Sequence, residues 1–245
     1  MIRRLKLVLE YDGTAYHGWQ VQPGLDTIQG RLEAALSRLA GSPVHVMGAG
    51  RTDAGVHALG QVASCNAEVR LDDVSLRRAL NALLPKDIVV TNVEPAPAEF
   101  DARRSARSKT YRYTLLRRAY PSALEGRYSL YVPHAADMEV MAEAAQCLVG
   151  THDFSAFRAG TCAAATPIRT VSRAAWRAEG DLWRFEIDGN AFLQHMVRII
   201  VGTLLDVGRG KRRAAEMPEI LASRDRRRAG KTAPPHGLCL VAVAY

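Results

Sequence analysis

Val44-His45-Val46-Met47-Gly48-Ala49-Gly50-Arg51-Thr52-Asp53-Ala54-Gly55-Val56-His57-Ala58 leads from one strand-like stretch toward another with no helix between them. The aliphatic run Val44–Met47 enters it, and Gln61–Asn66 has the pattern of the following strand. Three glycines, at 48, 50 and 55, give the backbone room for φ > 0 or a close approach, with Arg51 and Asp53 held between them. The spacing is not a dinucleotide fingerprint, because the third glycine of G-x-G-x-x-G falls on Asp53. It is not a phosphate-cradling P-loop either, since no Gly-Lys-Ser/Thr follows. A decorated turn between two strands is the plainest reading of such a loop. Presentation of Arg51 and Asp53 at the mouth of a cleft is the functional one.

Working outward, Leu5–Tyr11 alternates as a strand, and Asp26 or Thr27 caps a helix through Ile28, Leu32, Leu36 and Leu39 that stops at Gly41-Ser42-Pro43. After Asn66, Asp72 or Asp73 caps a second helix, and Ile88–Val93 forms another strand. The order is strand, helix, strand, strand, helix, strand, which predicts a split βαβ, ferredoxin-like half. Pro95-Ala96-Pro97 marks a boundary, giving halves 1–100 and 101–245. The same order recurs beyond it, without evident residue identity: a strand over Lys109–Leu116, a helix over Met138–Leu148, a hairpin of Ile168–Arg177 and Leu182–Ile187, a helix over Phe192–Val207, and a last strand over Gly237–Ala244. The predicted architecture is α+β, two halves with sheets joined side by side. Two insertions interrupt the second half. The loop 152–162 carries two outward-looking aromatics, Phe154 and Phe157, beside Arg158; residues 208–231 hold nine basic residues against Glu216, Glu219 and Asp225.

Composition, 48% hydrophobic and 24% charged over 245 residues, is that of a globular protein with a sizeable core. No membrane-length apolar run and no signal-peptide core are present, so a cytoplasmic protein is expected. The scattered cysteines, Cys65, Cys147, Cys162 and Cys239, predict free thiols, and neither they nor His134 and His152 have metal-ligand spacing, so no metal is expected. The net charge of +8 is one-sided: residues 1–100 hold 10 basic and 11 acidic side chains, and the rest carry the excess. That asymmetry suggests a polyanionic partner. Residues 103–118 hold seven cations and no acid around Tyr111 and Tyr113, the pattern of a strand whose cations meet RNA phosphates while aromatics stack on bases. An edge strand guarded by charge is the alternative. Arg103, Arg107 and Lys109, with Arg158 and Lys211, Arg212 and Arg213, are the cations expected against an RNA backbone.

No Ser-His-Asp set or nucleotide-cofactor loop is present. His57 and His195 are single histidines, for which structural roles are the expectation, His195 lying within the predicted helix. Arg198 among Val197, Ile199, Ile200 and Val201 is costly to bury unless it meets an anion, and Asp53 is the natural one. A free aspartate titrates near about 3.9, and a nearby arginine favours the carboxylate further. An ionised Asp53 suits a nucleophile or a stabiliser of positive charge, and with no second acid it does not suit a glycosidase pair. Attack at an activated carbon of a nucleoside fits it.

With these residues assembled, the chain resembles the tRNA pseudouridine synthase A family along nearly its whole length. The matching stretches are YDGTAYHGWQ at 11–20, GRTDAGVHA at 50–58, FDAR at 100–103, KTYRY at 109–113, DFSAF at 153–157, FLQHMVRIIVG at 192–202 and APPHGLCL at 233–240. The resemblance implies two fused ferredoxin-like, RRM-like halves forming a continuous, mostly antiparallel sheet, helices on one face and an RNA-binding cleft on the other. It implies a homodimer that binds tRNA and isomerises uridine to pseudouridine at positions 38, 39 and 40 of the anticodon arm, with no cofactor. By the same likeness Asp53 is the nucleophile, Tyr111 stacks on the target base, Arg198 pairs with the aspartate, Arg51 assists the flipped nucleotide, and Leu238 or Leu240 lines the pocket floor. Arg104 stands where the family more often has an aromatic, which bears on how that segment packs or meets RNA. Two other classes remain open at this point: a non-catalytic tRNA-binding or chaperone protein on the same scaffold, and a hydrolase or transferase of small nucleosides.

Overall fold

The computed structural model describes residues 2–133 and 136–245, so the prediction that touches His134 lies outside the described residues. Ten strands and five α-helices are formed among the described residues, in two compact units, Met1–Arg107 with Cys239–Tyr245 and Ser108–Leu238. The α+β class and the mostly antiparallel pairing are as expected from the sequence.

In the first unit the order is β1 (Ile2–Tyr11), α1 (Ile28–Ala40), β2 (Val46–Gly48), β3 (His57–Glu68), α2 (Asp73–Leu83) and β4 (Ile88–Pro95), joined from the far end of the chain by β10 (Leu238–Ala244). Antiparallel β4, β1 and β3 lie side by side, with Leu5 opposite Cys65 and Leu7 opposite Val93. The alternation of β1 buries Leu5, Leu7 and Leu9 completely, together with Ile28 and Leu32 of α1 and Leu76 and Leu80 of α2. Each such side chain taken out of water contributes roughly 1.5–3 kcal/mol. The helices start where their caps require: the Thr27 and Asp72 side chains accept from the amides of Gly30 and Ser75. Gly41, at φ 70°, ends α1 in the left-handed conformation.

One edge of β3 is taken by β1 along its length, and the other edge changes neighbour partway. Antiparallel β2 covers Ala63–Cys65, and parallel β10 pairs at Cys239 with His57 and Leu240 with Ala58. The chain between β2 and β3 must leave the sheet at this change of neighbours, and residues 49–56 are that excursion.

In the second unit β5 (Ser108–Leu116), β9 (Leu182–Gly189), β8 (Ile168–Glu179) and β7 (Gly150–Asp153) are antiparallel, with the short β6 (Leu130–Tyr131) parallel to β5. The helices are α3 (Met138–Ala145), α4 (Met196–Gly208) and α5 (Glu216–Ser223). α4 buries Ile199, Ile200, Val201 and Leu204 completely.

Four expectations are corrected here. The stretch 192–195 is a turn, not the first turn of α4: Met196 N–H donates to Leu193 O, and His195 sits at the N-cap with φ 61°. The apolar periodicity continues through it because Leu193 is buried all the same. Residues 208–231 contain α5, whose Met217, Ile220 and Leu221 form a buried stripe hidden in sequence by the surrounding arginines. The loop 152–162 begins with part of β7, and its aromatics face inward, Phe154 and Phe157 both being 0% exposed. The cations of 103–118 are not all uncompensated: Arg112 pairs with Glu186 at 2.9 Å, Arg118 lies 3.8 Å from Asp181, and Arg117 sits over the Trp183 ring at 4.7 Å. The partners come from β9 and its turn, about seventy residues away, so a local count of charges misses them.

Candidate active site

The excursion at 49–56 is fixed by its own unit. Gln61 Nε2 donates to Gly50 O at 2.8 Å, Trp19 N–H to Thr52 O at 3.0 Å, and Val56 N–H to Asp53 O at 3.1 Å. Gly55 N–H reaches Tyr16 O at 3.4 Å. Gly18, at φ 88°, lies so near that a Cβ there would meet Thr52 O at 2.6 Å and the Asp53 carbonyl carbon at 3.1 Å. The segment 13–19 is therefore laid backbone to backbone on the Asp53 loop, a closeness that only glycine permits. Beneath it the Tyr11 hydroxyl and Thr52 Oγ1 share a 2.8 Å hydrogen bond, with Gln61 Nε2 3.4 Å from the same hydroxyl. Burial pushes the Tyr11 phenol well above its ordinary range, against the hydrogen bonds from Thr52 and Gln61, so it stays neutral at any physiological pH. His57 is buried at the loop's end, where its Nδ1 lies 3.1 Å from Gly13 N and from Asp12 Oδ1. These contacts brace the segment and leave Asp53 half-buried. Arg51 is exposed and donates through Nε to Gln20 Oε1 at 3.0 Å.

The second unit holds Tyr111 and Arg198. Tyr111 and Tyr113 share one face of β5 and are buried, 7% and 0% exposed. The Tyr111 ring meets Phe192 edge-on, centroids 5.1 Å apart at 80°. Tyr113 donates to Pro234 O at 2.8 Å, and burial raises its phenol despite the nearby Arg198 charge.

Arg198 lies in the first turn of α4, where the helix dipole disfavours a cation unless an anion is near. It is half-buried, and Nε donates to Ala233 O at 2.8 Å while Ala233 N–H donates to Arg198 O at 3.0 Å. The guanidinium thus has a carbonyl partner that its apolar neighbours did not suggest. One turn along, Gly202 is packed so closely that a Cβ would lie 1.7 Å from Lys231 O. Gly230 N–H donates to Thr203 Oγ1 at 2.9 Å. The chain 230–233 is therefore pinned along α4, and Arg198 with it.

Leu238 and Leu240 are buried at 5% and 0%. Arg103, Arg104, Arg107, Lys211 and Arg213 are exposed, and Arg104 and Arg103 donate their backbone N–H groups to Asp101 Oδ1 at 2.8 Å. Arg212 lies 3.9 Å from Asp206, Arg213 3.5 Å from Glu216, and Arg158 is half-buried with Nη2 on the carbonyls of Cys162 and Ala164. Lys109 is half-buried on β5. All four cysteines are free thiols. Among the described residues no helix is long and apolar enough to cross a membrane, and no group of His, Cys, Asp or Glu is placed to hold a metal ion.

The family profile described as tRNA pseudouridine synthase matches residues 7–103 and 144–245, spans that include the Asp53 loop, the first turn of α4 and β10. The chain belongs to the tRNA pseudouridine synthase family. A tRNA pseudouridine synthase A of Acetivibrio thermocellus is 47% identical over 244 residues, covering 100% of both chains. That of Geotalea uraniireducens is 46% identical over the same length and coverage. That of Myxococcus xanthus is 48% identical over 243 residues, covering 99% of this chain and 92% of its own.

Within that family frame, sequence reasoning passed over two groups that hold the expected residues in place. Tyr11 and Gln61 fix the loop from below; Tyr11 opens one of the matching motifs, but nothing in its neighbours signals a partner forty-one residues away. The Ala233 carbonyl had no signal except the paired small residues Gly202 and Gly230.

Proposed function

We propose that this protein isomerises uridine to pseudouridine at positions 38, 39 and 40 of the tRNA anticodon arm, with Asp53 as the nucleophile. The observation that carries the reading is the Asp53 loop: a carboxylate, half-buried, on a backbone whose carbonyls and amides are already committed to neighbours. A group that must meet a flipped nucleotide needs such preorganisation, because misplacement by about 1 Å can cost on the order of 100-fold. The reaction breaks the bond from N1 of uracil to C1′ of the ribose and forms one from C5 to the same carbon. The proton on C5 is lost and one is gained at N1. Atoms and electrons balance within the substrate, so no redox cofactor is needed.

Tyr111 stacks on the extruded base, its ring angle held by Phe192. Arg198 neutralises the Asp53 carboxylate, Arg51 assists the flipped nucleotide, and Leu238 and Leu240 floor the pocket. Extrusion costs a few kcal/mol, least in a loop or at a stem end, which suits an anticodon-arm substrate. Arg103, Arg107, Lys109, Arg158, Lys211, Arg212 and Arg213 supply backbone-phosphate contacts. The working form is a cytoplasmic homodimer.

The test uses unmodified tRNA with uridines in the anticodon arm and carbodiimide-dependent reverse-transcription stops. Wild type produces stops at 38–40, and Asp53→Ala produces none. Stops that persist with Asp53→Ala would sink the assignment. Tight tRNA binding by wild type with no product at stoichiometric enzyme would favour the non-catalytic binder instead.

A further inference from the structure

An open cavity of about 510 Å³ lies in the second unit between the turn that follows β7 and the chain that leaves α5. Arg158, Arg224, Arg226 and Arg227 line it, with Asp225 the one carboxylate in the lining. The charges are unevenly answered. Arg227 forks onto Asp225, Nε at 3.0 and 3.1 Å and Nη2 at 2.9 Å. Arg224 Nε lies 3.2 Å from Asp153 Oδ2, and Arg158 Nη2 donates to the carbonyls of Cys162 and Ala164.

Arg226 differs from these. Its Nη1 reaches Ala229 O at 3.4 Å and its Nη2 reaches Thr232 Oγ1 at 3.2 Å, both neutral oxygens. The side chain is half-buried, and loss of water around it lowers its pKa with no carboxylate opposing that shift. Burying a cation is expensive unless an anion answers it. The three consecutive arginines of the 3₁₀ turn Arg226–Arg228 point about 120° apart, as three residues per turn require. Arg228 turns toward Glu219 at 3.6 Å and Arg227 toward Asp225, so Arg226 is the one directed to the cavity without a countercharge. The turn itself is anchored: Arg224 holds φ 56°, an uncommon conformation for a residue with a side chain, and Asp225 accepts from Arg227 N at 2.9 Å.

We infer that this cavity is a phosphate subsite, and that its occupant is a phosphodiester of the tRNA backbone held by Arg226 with Arg224 and Arg227 at the rim. The inference rests on the tRNA reading above and adds Arg224, Arg226 and Arg227 to the cations expected against the RNA backbone. Four guanidiniums against Asp225 and Asp153 leave a positive balance that a backbone phosphate answers, and a planar fork matches its oxygens in pairs.

Binding of unmodified tRNA to the full-length protein is measured across a salt series for wild type, Arg226→Gln, Arg226→Lys and Asp225→Asn. Arg226→Gln weakens binding about tenfold and lowers the slope of log K against log salt by about 0.7–0.9, one phosphate contact's worth. Arg226→Lys restores the slope. Asp225→Asn still caps the turn but frees Arg227, so it tightens binding and steepens the slope. A loss of stability in Arg226→Gln does not blunt the test, because structural damage does not produce the gain expected of Asp225→Asn. Unchanged affinity, or weaker binding with an unchanged slope in Arg226→Gln, overturns the subsite. So does competition by inorganic phosphate that leaves the tRNA slope of every variant unaltered. Failure of wild type to form pseudouridine would instead strike the proposed reaction, and the binding series would still decide the cavity.

Discussion

The loop that carries Asp53 and the helix start that carries Arg198 are both held firmly, by different means. Around Asp53 the restraints are backbone against backbone, from residues 13–19, and a buried neutral network of Tyr11, Thr52 and Gln61. Around Arg198 a side chain grips a carbonyl thirty-five residues downstream, and a glycine of α4 lets that downstream chain lie against the helix. Most of the restraints on the loop are backbone hydrogen bonds and neutral side chains. The helix start uses the Arg198 side chain itself as one of its fasteners, so position and charge are coupled there.

The sharpest way to break this comparison is at the two close approaches. A methyl group at Gly202 would lie 1.7 Å from Lys231 O, an overlap that only movement of the 230–233 chain can relieve. Gly202→Ala is expected to cost on the order of 3 kcal/mol or more, with a fall in Tm of many degrees. At Gly18 the Cβ would meet Thr52 O at 2.6 Å and the positive φ adds strain, so Gly18→Ala destabilises less and loses turnover out of proportion to stability. Gly126→Ala, where a Cβ meets nothing within 4 Å, is the control and stays within about 0.5 kcal/mol. Equal Tm values for Gly202→Ala and Gly126→Ala by calorimetry would refute the packing described for α4.

Much of the first unit was legible because its restraints have local marks. The caps Thr27 and Asp72, the stop at Gly41 and the alternation Leu5, Leu7, Leu9 each declare their element. The loop at 48–57 declared itself by glycines around an arginine and an aspartate. In the second unit the deciding contacts are between residues far apart in the chain. Arg112 looked unanswered because Glu186 is seventy-four positions on, and Phe154 and Phe157 looked exposed because the apolar stripe of α5 was hidden among arginines. The helix start at 196 was missed because an apolar turn and an apolar helix have the same composition, and only the φ of 61° at His195 separates them.

A smaller effect compares the two buried tyrosine hydroxyls. Tyr11→Phe leaves Thr52 Oγ1 and Gln61 Nε2 short of a buried partner, and about 1–2 kcal/mol of stability is expected to be lost. Tyr113→Phe leaves one carbonyl, Pro234 O, and costs about 1 kcal/mol. Because Thr52 adjoins Asp53, the first substitution also lowers kcat, whereas the second acts on the chain that follows Ala233. Chemical denaturation of both variants ranks them; a costlier Tyr113→Phe would mean that the Tyr11 hydroxyl is not a main support of the loop.

The smallest expected effect separates neutral from charged restraint by acidity. Glu186 on β9 lies 2.9 Å from Arg112 and 3.2 Å from Arg173, so the strand that carries Tyr111 is tied to its neighbours by ion pairs. Burial acts to raise the Glu186 carboxyl, but Arg112, then Arg173 and Arg177, outweigh it and hold it below the usual carboxylate range. A carboxyl depressed in the folded state binds its proton more readily when the chain unfolds. Its stabilisation is therefore fully present above the unfolded pKa of about 4.3 and is lost as pH falls through the lower folded value. Glu186→Gln should cost about 1 kcal/mol at pH 7, and its Tm curve should converge with wild type as pH drops below about 4. The neutral Tyr11 network predicts the opposite for Tyr11→Phe, whose deficit stays constant over the same range. Parallel wild-type and Glu186→Gln curves down to pH 3 would show that the ion pairs contribute nothing to holding β5, and the contrast between the two supports would then rest on packing alone.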